Sequence, residues 1–330
     1  MYDVARLAGV SHQTVSRVIN GSDRVRPETR DRVLAAMQQL DYRPNFVARA
    51  LVTGTSRTLG VVTFNTTLFG PASTLVAVER AAAAEAYGVS IVSLETLDRA
   101  AVIRAVERLR AMGVDGVLVI APKVAATSAV WDLPPGFPVV AVEAGTLDDI
   151  PVVAVDQHEG ARLATEHLLR LGHATVHHLA GPLEWQEAEL RLDGWRGALD
   201  AAGARGSAPL RGDWSPRSGY ELGRQMAELE DMTAVFVAND QMALGLIRAL
   251  HERGRRVPED VSIVGFDDIP EAEFFLPPLT TVRQDFNEMG RLALHCLLDG
   301  IGARQRSTVP SIVPATLIVR ASSAARNAPT

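Results

Sequence analysis

The 330-residue sequence has one cysteine, Cys296, one lysine, Lys123, and no apolar run long enough to span a bilayer. A single thiol excludes an internal disulfide, and its neighbours from Leu292 to Leu298 read as an apolar helix in which Cys296 is buried and inert. Without a run of about 18 apolar residues there is no candidate membrane helix. Asp3 and Arg6 also stand where a secretory signal would be apolar. The expectation is a cytoplasmic chain with no membrane partner. No Gly-x-Ser-x-Gly elbow, Walker loop or dinucleotide glycine fingerprint falls in a strand-to-helix turn. His167, His173, His177 and His178 suggest a metal cluster, but His177 and His178 are adjacent in an apparent strand and so face opposite ways. The chain is therefore expected not to be an enzyme, with no catalytic residue, no metal and no cofactor.

What is present fits a globular protein of about two domains, with 47% hydrophobic and 22% charged residues. The net charge of −6 is unevenly spread. Residues 1–56 hold eight arginines against five carboxylates, a balance of +3 that leaves −9 for the rest. A basic head on an acidic body is the distribution expected of a DNA-binding module joined to something else. The arginine and alanine excess over lysine fits a G+C-rich genome, so arginine content alone carries little weight.

The head has a definite pattern. Val4, Ala5, Leu7 and Ala8 form a short apolar helical face ending at Gly9, and Ser11 can cap a second helix after a three-residue turn. Within that helix Val15, Val18 and Ile19 share one face, leaving His12, Gln13, Thr14, Ser16, Arg17 and Asn20 for the other. So short a turn demands a steep crossing, small residues such as Ala5, and a left-handed position such as Gly9. A helix held out in this way fits the major groove, where Gln13 can pair with adenine and Arg17 with guanine. The alternative is a solvated helix of a small bundle. Pro27 and Glu28 then open a third helix, with Val33, Leu34, Met37 and Leu40 as its apolar stripe.

The run YDVARLAGVSHQTVSRVIN, followed by Tyr42-x-Pro44-Asn45-x-x-Ala48-x-x-Leu51, resembles the lactose-repressor family of bacterial transcription factors. The resemblance implies a headpiece over 1–44 that reads double-stranded operator DNA through Ser11, His12, Gln13, Thr14, Ser16, Arg17 and Asn20. It implies a hinge helix and linker over 45–57, with Asn45, Ala48 and Arg49 at the DNA and Leu51 wedged into the minor groove. Such a short helix is expected to order only in the complex. Members usually carry a Ser or Thr cap ahead of the tyrosine matching Tyr2, so the first helix as written here lacks its cap.

From Thr58 onward strands and helices alternate. Strands are expected at 59–63, 90–93, 116–120, 139–142, 175–180, 234–238, 261–265 and 308–313. Helices are expected at 77–87, 99–112, 158–171, 188–202, 216–229, 240–253 and 285–299. This describes two doubly wound, parallel-sheet lobes. The first takes about 58–155 and 286–313, the second about 156–282 and 314–322, with a tail at 323–330. The chain crosses back near Thr280 to Gln284, and multiple crossings act as a hinge. Two such lobes imply a cleft at the carboxyl ends of the strands.

The segments LAGP, RLDGW, GDWS-x-x-SG, VANDQMALG, GFDD and PPLTT-x-x-QDF carry the same family resemblance through the body. It implies a periplasmic-binding-protein-like sensing domain, a homodimer, and a sugar effector in the cleft. Carried over residue by residue, the effector contacts are Glu143, Trp185, Glu187, Arg191, Trp214, Asn239, Asp267 and Phe286. A carboxylate, a guanidinium, an amide and an indole together suit a polyol. Taken singly, Asp267 and Asp268 also read as a helix-capping pair, Trp214 as core and Arg191 as a surface ion pair. The sequence departs from the pattern where Glu143 replaces an aspartate and Trp185 and Glu187 replace small serines. Those changes add bulk and charge, and leave a β-galactoside, a β-glucoside or a related saccharide open. A purine or other metabolite on the same fold, and co-repression instead of induction, remain alternatives, ahead of a secreted sugar-binding protein. The tail has no leucine heptads, so a dimer is expected and not a tetramer.

Overall fold

The computed structural model describes residues 1–19, 22, 24–42, 54–96, 98–120, 136–143, 150–302 and 310–326. The chain divides into two compact units, Met1–Arg57 and Thr58–Thr330.

The first unit contains helices α1 (Tyr2–Ala8), α2 (His12–Ile19) and α3 (Pro27–Gln39). No side chain caps α1 at Met1, and the helix ends at Gly9 with φ 62°, the left-handed conformation that glycine adopts without a Cβ penalty. Ser11 Oγ accepts the Thr14 amide at 3.2 Å and so caps α2. Pro27 sits in the first turn of α3, where its missing N–H costs nothing. Val4, Ala5, Ala8, Val15, Val18, Val25, Val33 and Ala36 close the small core. The apolar stripe of α3 is narrower than expected, because Leu34 and Leu40 are exposed. Leu34 lies about 100° round the helix from Val33, and Ala36, Met37 and Tyr42 contribute to the core instead.

The second unit is built on two six-stranded sheets. The first contains β1 (Thr58–Phe64), β2 (Gly88–Leu94), β3 (Gly116–Ile120), β4 (Val139–Val142), β5 (Val152–Val155) and β11 (Ser311–Val313), in the order β11-β5-β4-β3-β1-β2. All its pairings are parallel. It is covered by α4 (Phe69–Ala84), α5 (Arg99–Ala111) and α10 (Phe286–Gly302). The central strands β3 and β4 are buried at every position, as strands covered on both faces must be. At the edge, β2 leaves Ile91 exposed.

The second sheet has the order β12-β10-β9-β8-β6-β7. Its strands are β6 (His177–Ala180), β7 (Leu210–Arg211), β8 (Ala234–Val237), β9 (Ser262–Asp267), β10 (Thr280–Arg283) and β12 (Thr316–Ile318). Four helices accompany it, α6 (Gln157–Arg170), α7 (Gln186–Ala201), α8 (Pro216–Met226) and α9 (Asp240–Glu252). The doubly wound architecture is the one expected, with one exception: β12 runs antiparallel to β10.

Three details differ from the expectations. Helix α4 begins at Phe69, eight residues before Ala77, because Pro71 falls in its first turn, where proline is tolerated. Thr280 to Arg283 is strand β10 and not merely a crossing. Cys296 is only partly buried, packed against the core from α10. The chain passes between the two sheets three times, after β5, after β10 and after β11. Asp156 caps α6 at the first passage by accepting the Glu159 amide at 2.9 Å.

Candidate functional site

The carboxyl ends of β4, β8, β9 and β10, the start of α7 and the first turns of α4 and α10 line a cleft. All eight expected effector residues line it: Glu143, Trp185, Glu187, Arg191, Trp214, Asn239, Asp267 and Phe286. The structure adds Gln284 at the second crossing and Leu68, Phe69, Pro71, Thr74 and Ile120 from the first lobe.

Arg191 lies on the inner face of α7 and is 4% exposed. Its Nε donates to Gln157 Oε1 at 2.9 Å, one terminal nitrogen donates to the Ala238 carbonyl, and the other lies 3.7 Å from Asp267. The guanidinium carbon is 3.8 Å from the centre of the Phe266 ring and 5.6 Å from that of Trp214. These contacts compensate a charge that burial opposes, since desolvation works to lower the guanidinium pKa. The surface ion-pair reading of Arg191 is thereby excluded.

Asp267 closes β9 at φ 114° and receives Gln284 Nε2 at 2.7 Å. Burial pushes its pKa up to about 6, against the opposing pull of Arg191 and Gln284. Its neighbour Asp268 has a different task, binding Arg283 at 2.6 Å and Arg320 at 2.7 Å. The two aspartates are thus separated into one cleft group and one paired group. Asp240, fully buried behind the cleft, accepts Thr281 Oγ1 at 2.6 Å and the Ile269 amide at 2.9 Å.

Glu143 follows β4 in the left-handed conformation, φ 57°, and is 7% exposed. Burial pushes its pKa up to about 7. Its Oε2 is 3.4 Å from Gln157 Nε2, and its Oε1 has no hydrogen-bond partner among the described residues. Glu187, in the first turn of α7, also has a buried oxygen, Oε2, without a partner among the described residues. Burial first and the nearby Glu143 second push its pKa up.

Trp214 occupies a left-handed position, φ 74°, and its indole Nε1 has no acceptor among the described residues. A Cβ at Gly181 would overlap the indole ring, so glycine at 181 is what admits it. Trp185 meets Trp214 edge to face, with centroids 5.9 Å apart at 79°. Phe286 packs edge-on against Phe69 at 5.7 Å. Asn239 lines the cleft, but its amide is committed to structure. Its Oδ1 accepts the Met242 amide at 3.0 Å, and Nδ2 donates to the Trp214 carbonyl at 3.0 Å and to Gln241 at 2.8 Å.

Gln157 and Gln284 are the residues sequence reasoning missed. Glutamine is ordinarily a surface residue, and the only available signal was the position of each beside a chain crossing. His177 and His178 also resolve. His177 bonds Ser207 at 2.9 Å, while His178 stacks on Phe236 and Trp195, and burial lowers its pKa to about 4. These are core histidines.

In the first unit, Ser11, His12, Gln13 and Arg17 are exposed on α2, Thr14 and Ser16 are partly exposed, and Val15 and Val18 are buried beneath them. His12 stacks on Tyr2 at 5.4 Å. Asn20, Asn45, Ala48, Arg49 and Leu51 lie outside the described residues, as does most of the expected hinge.

Residues 1–45 match the model of bacterial regulatory proteins of the lacI family, and residues 165–323 match that of the periplasmic binding protein-like domain. The chain is 37% identical to the lactose operon repressor of Escherichia coli, over all of this chain and 92% of that one. It is also 37% identical to the HTH-type transcriptional repressor PurR of Haemophilus influenzae, over 97% of each chain. Among solved structures it superposes on the lac repressor dimer bound to operator and the anti-inducer ONPF with a TM-score of 0.86, at 36% identity over 98% of each chain. With a helix-turn-helix head and a two-sheet body that both match, the chain belongs to the lacI family of bacterial regulatory proteins and is a DNA-binding transcriptional repressor.

Proposed function

We propose that the chain works as a homodimer on a near-palindromic operator, and that a saccharide in the cleft controls its hold on DNA. The observation that carries this reading is the convergence of Asp267, Arg191 and Trp214 in one enclosed space. A carboxylate that accepts from hydroxyls, a guanidinium that donates to them and a flat indole face are the groups a sugar ring requires. Because both lobes line the cleft, a bound saccharide stabilises one lobe arrangement over others, with the three crossings as the hinge. Release of DNA then requires the sugar to prefer the arrangement that reads DNA poorly; equal affinity for both would shift nothing.

Glu143, Trp185 and Glu187 bear on which saccharide fits. The added methylene at Glu143, the indole and the second glutamate narrow the side of the cleft next to Arg191, which favours a β-glucoside or related saccharide as readily as a β-galactoside. The PurR relatives motivate a purine as the second reading. A purine favours aromatic faces on both sides of its ring, whereas Trp185 and Trp214 stand edge to face, and that arrangement supports the sugar.

The test is operator binding by fluorescence anisotropy, with a duplex selected from a random pool and with saccharides or purine bases added in turn. A saccharide that lowers operator affinity is the expected result. Tightening would mean co-repression, and a response to purines alone would overturn the sugar reading. Sedimentation at micromolar protein is expected to give a dimer.

A further inference from the structure

We infer that the saccharide carries a protonated amine, held between Glu143 and Glu187. This rests on the saccharide reading above and specifies its chemical class. Among the described residues, three carboxyl groups, Glu143, Glu187 and Asp267, line the cleft against one cation, Arg191. Two of the five N–H donors of that cation go to Gln157 and the Ala238 carbonyl, and its other terminal nitrogen lies 3.7 Å from Asp267. Asp267 is further served by Gln284. Among the described residues no guanidinium forms an ion pair with either glutamate, and each keeps one buried oxygen without a hydrogen-bond partner.

Glu143 is also fixed in place, because its left-handed backbone and the amide of Gln157 on Oε2 leave Oε1 as the free acceptor. Neutral hydroxyls could satisfy these oxygens as donors, yet they bring no charge to oppose the burial that makes both glutamates hold their protons. An ammonium both donates and neutralises, and charge-assisted hydrogen bonds are roughly twice as strong as neutral ones. The indole faces of Trp185 and Trp214 beside the site also attract cations. The ring and hydroxyls of the sugar then fall to Trp214, Arg191 and Asp267, and the amine to the two glutamates.

The test is titration calorimetry on the full chain with three β-1,4-linked disaccharides, those of glucosamine, N-acetylglucosamine and glucose, together with galactosamine and galactose. Within each set the skeleton is constant and the substituent at C2 changes. The amines are expected to bind at least about tenfold more tightly than their neutral counterparts, as expected for a charge-assisted contact. Glu187→Gln is expected to bring that ratio to within about threefold. Glu143→Gln serves as the second variant, and circular dichroism establishes that each is folded. Neutral sugars binding as tightly as the amines would overturn the proposal while leaving the saccharide reading intact. Binding of purines with no sugar bound would remove both.

Discussion

Gln157 Nε2 donates to Gln284 Oε1 at 2.8 Å, joining the first and second crossings of the chain between its lobes. The contact belongs to a closed ring. Arg191 donates to Gln157, Gln157 to Gln284, Gln284 to Asp267, and Asp267 faces Arg191 again at 3.7 Å. Two hinge residues thereby hold Arg191 and Asp267, two of the charged groups that line the cleft.

Gln157→Leu tests this ring. The change leaves Arg191 Nε and the Gln284 carbonyl unpaired in a buried place, at a cost of about 1–3 kcal/mol in stability. Chemical denaturation is expected to show that loss, and calorimetry is expected to show effector binding weakened by about tenfold. Unchanged binding would mean that the ring does not orient Arg191 for the ligand.

Asp267→Ala removes an acceptor aimed into the cleft. Operator affinity measured without effector is expected to stay near normal, while response to effector is lost. Because Arg191 loses its nearest counter-charge, the variant is also expected to unfold more readily, and breaking a buried pair typically costs about 3–5 kcal/mol. Asp267→Asn keeps the shape and separates the two effects.

The raised pKa of Glu143, about 7, gives a signed pH dependence. The folded state holds this proton more tightly than the unfolded chain does. The associated penalty is absent below the ordinary glutamate range and complete above the folded value, so stability falls as pH rises from about 4.5 to 7. Glu143→Gln removes the titration. The melting temperature of the variant relative to the parent is therefore expected to increase between pH 5 and pH 8, with a difference on the order of 2 kcal/mol in stability. A constant difference across that range would mean that Glu143 is not perturbed.

Gly181→Ala places a methyl group where the Trp214 ring lies. Overpacking of this kind costs about 1–3 kcal/mol. The expected result is a shifted tryptophan emission spectrum together with loss of effector affinity, since the indole has to move into the cleft.

Arg17→Ala bears on DNA reading. Loss of a base contact is expected to cost about 1–3 kcal/mol on the operator and to relax preference at one base pair. Anisotropy on operator and random duplexes measures both; equal losses on the two would show that Arg17 contacts only the backbone.

The turn of the headpiece was legible in the sequence because it depends on local chemistry. Gly9, Ser11 and the spacing of Val15 and Val18 act within a few residues of one another, and each does in the fold what its type requires. The alternation of apolar runs and amphipathic helices fixed the two parallel sheets for the same reason. Apolar periodicity overstated α3, where Leu34 faces solvent, and a proline concealed the first eight residues of α4.

Resemblance to the family supplied the eight cleft residues, and the fold decided what each of them does there. Asn239 has its amide committed to neighbouring groups, and Asp268 binds two arginines while Asp267 faces the cleft. Glu143, Trp214 and Asp267 all project from backbone with positive φ, a conformation that no pattern of residue types announces. The ring through Gln157 and Gln284 joins positions 127 residues apart. Hydrogen bonding over such separations follows from where the crossings place the chain, and only the tertiary structure fixes that.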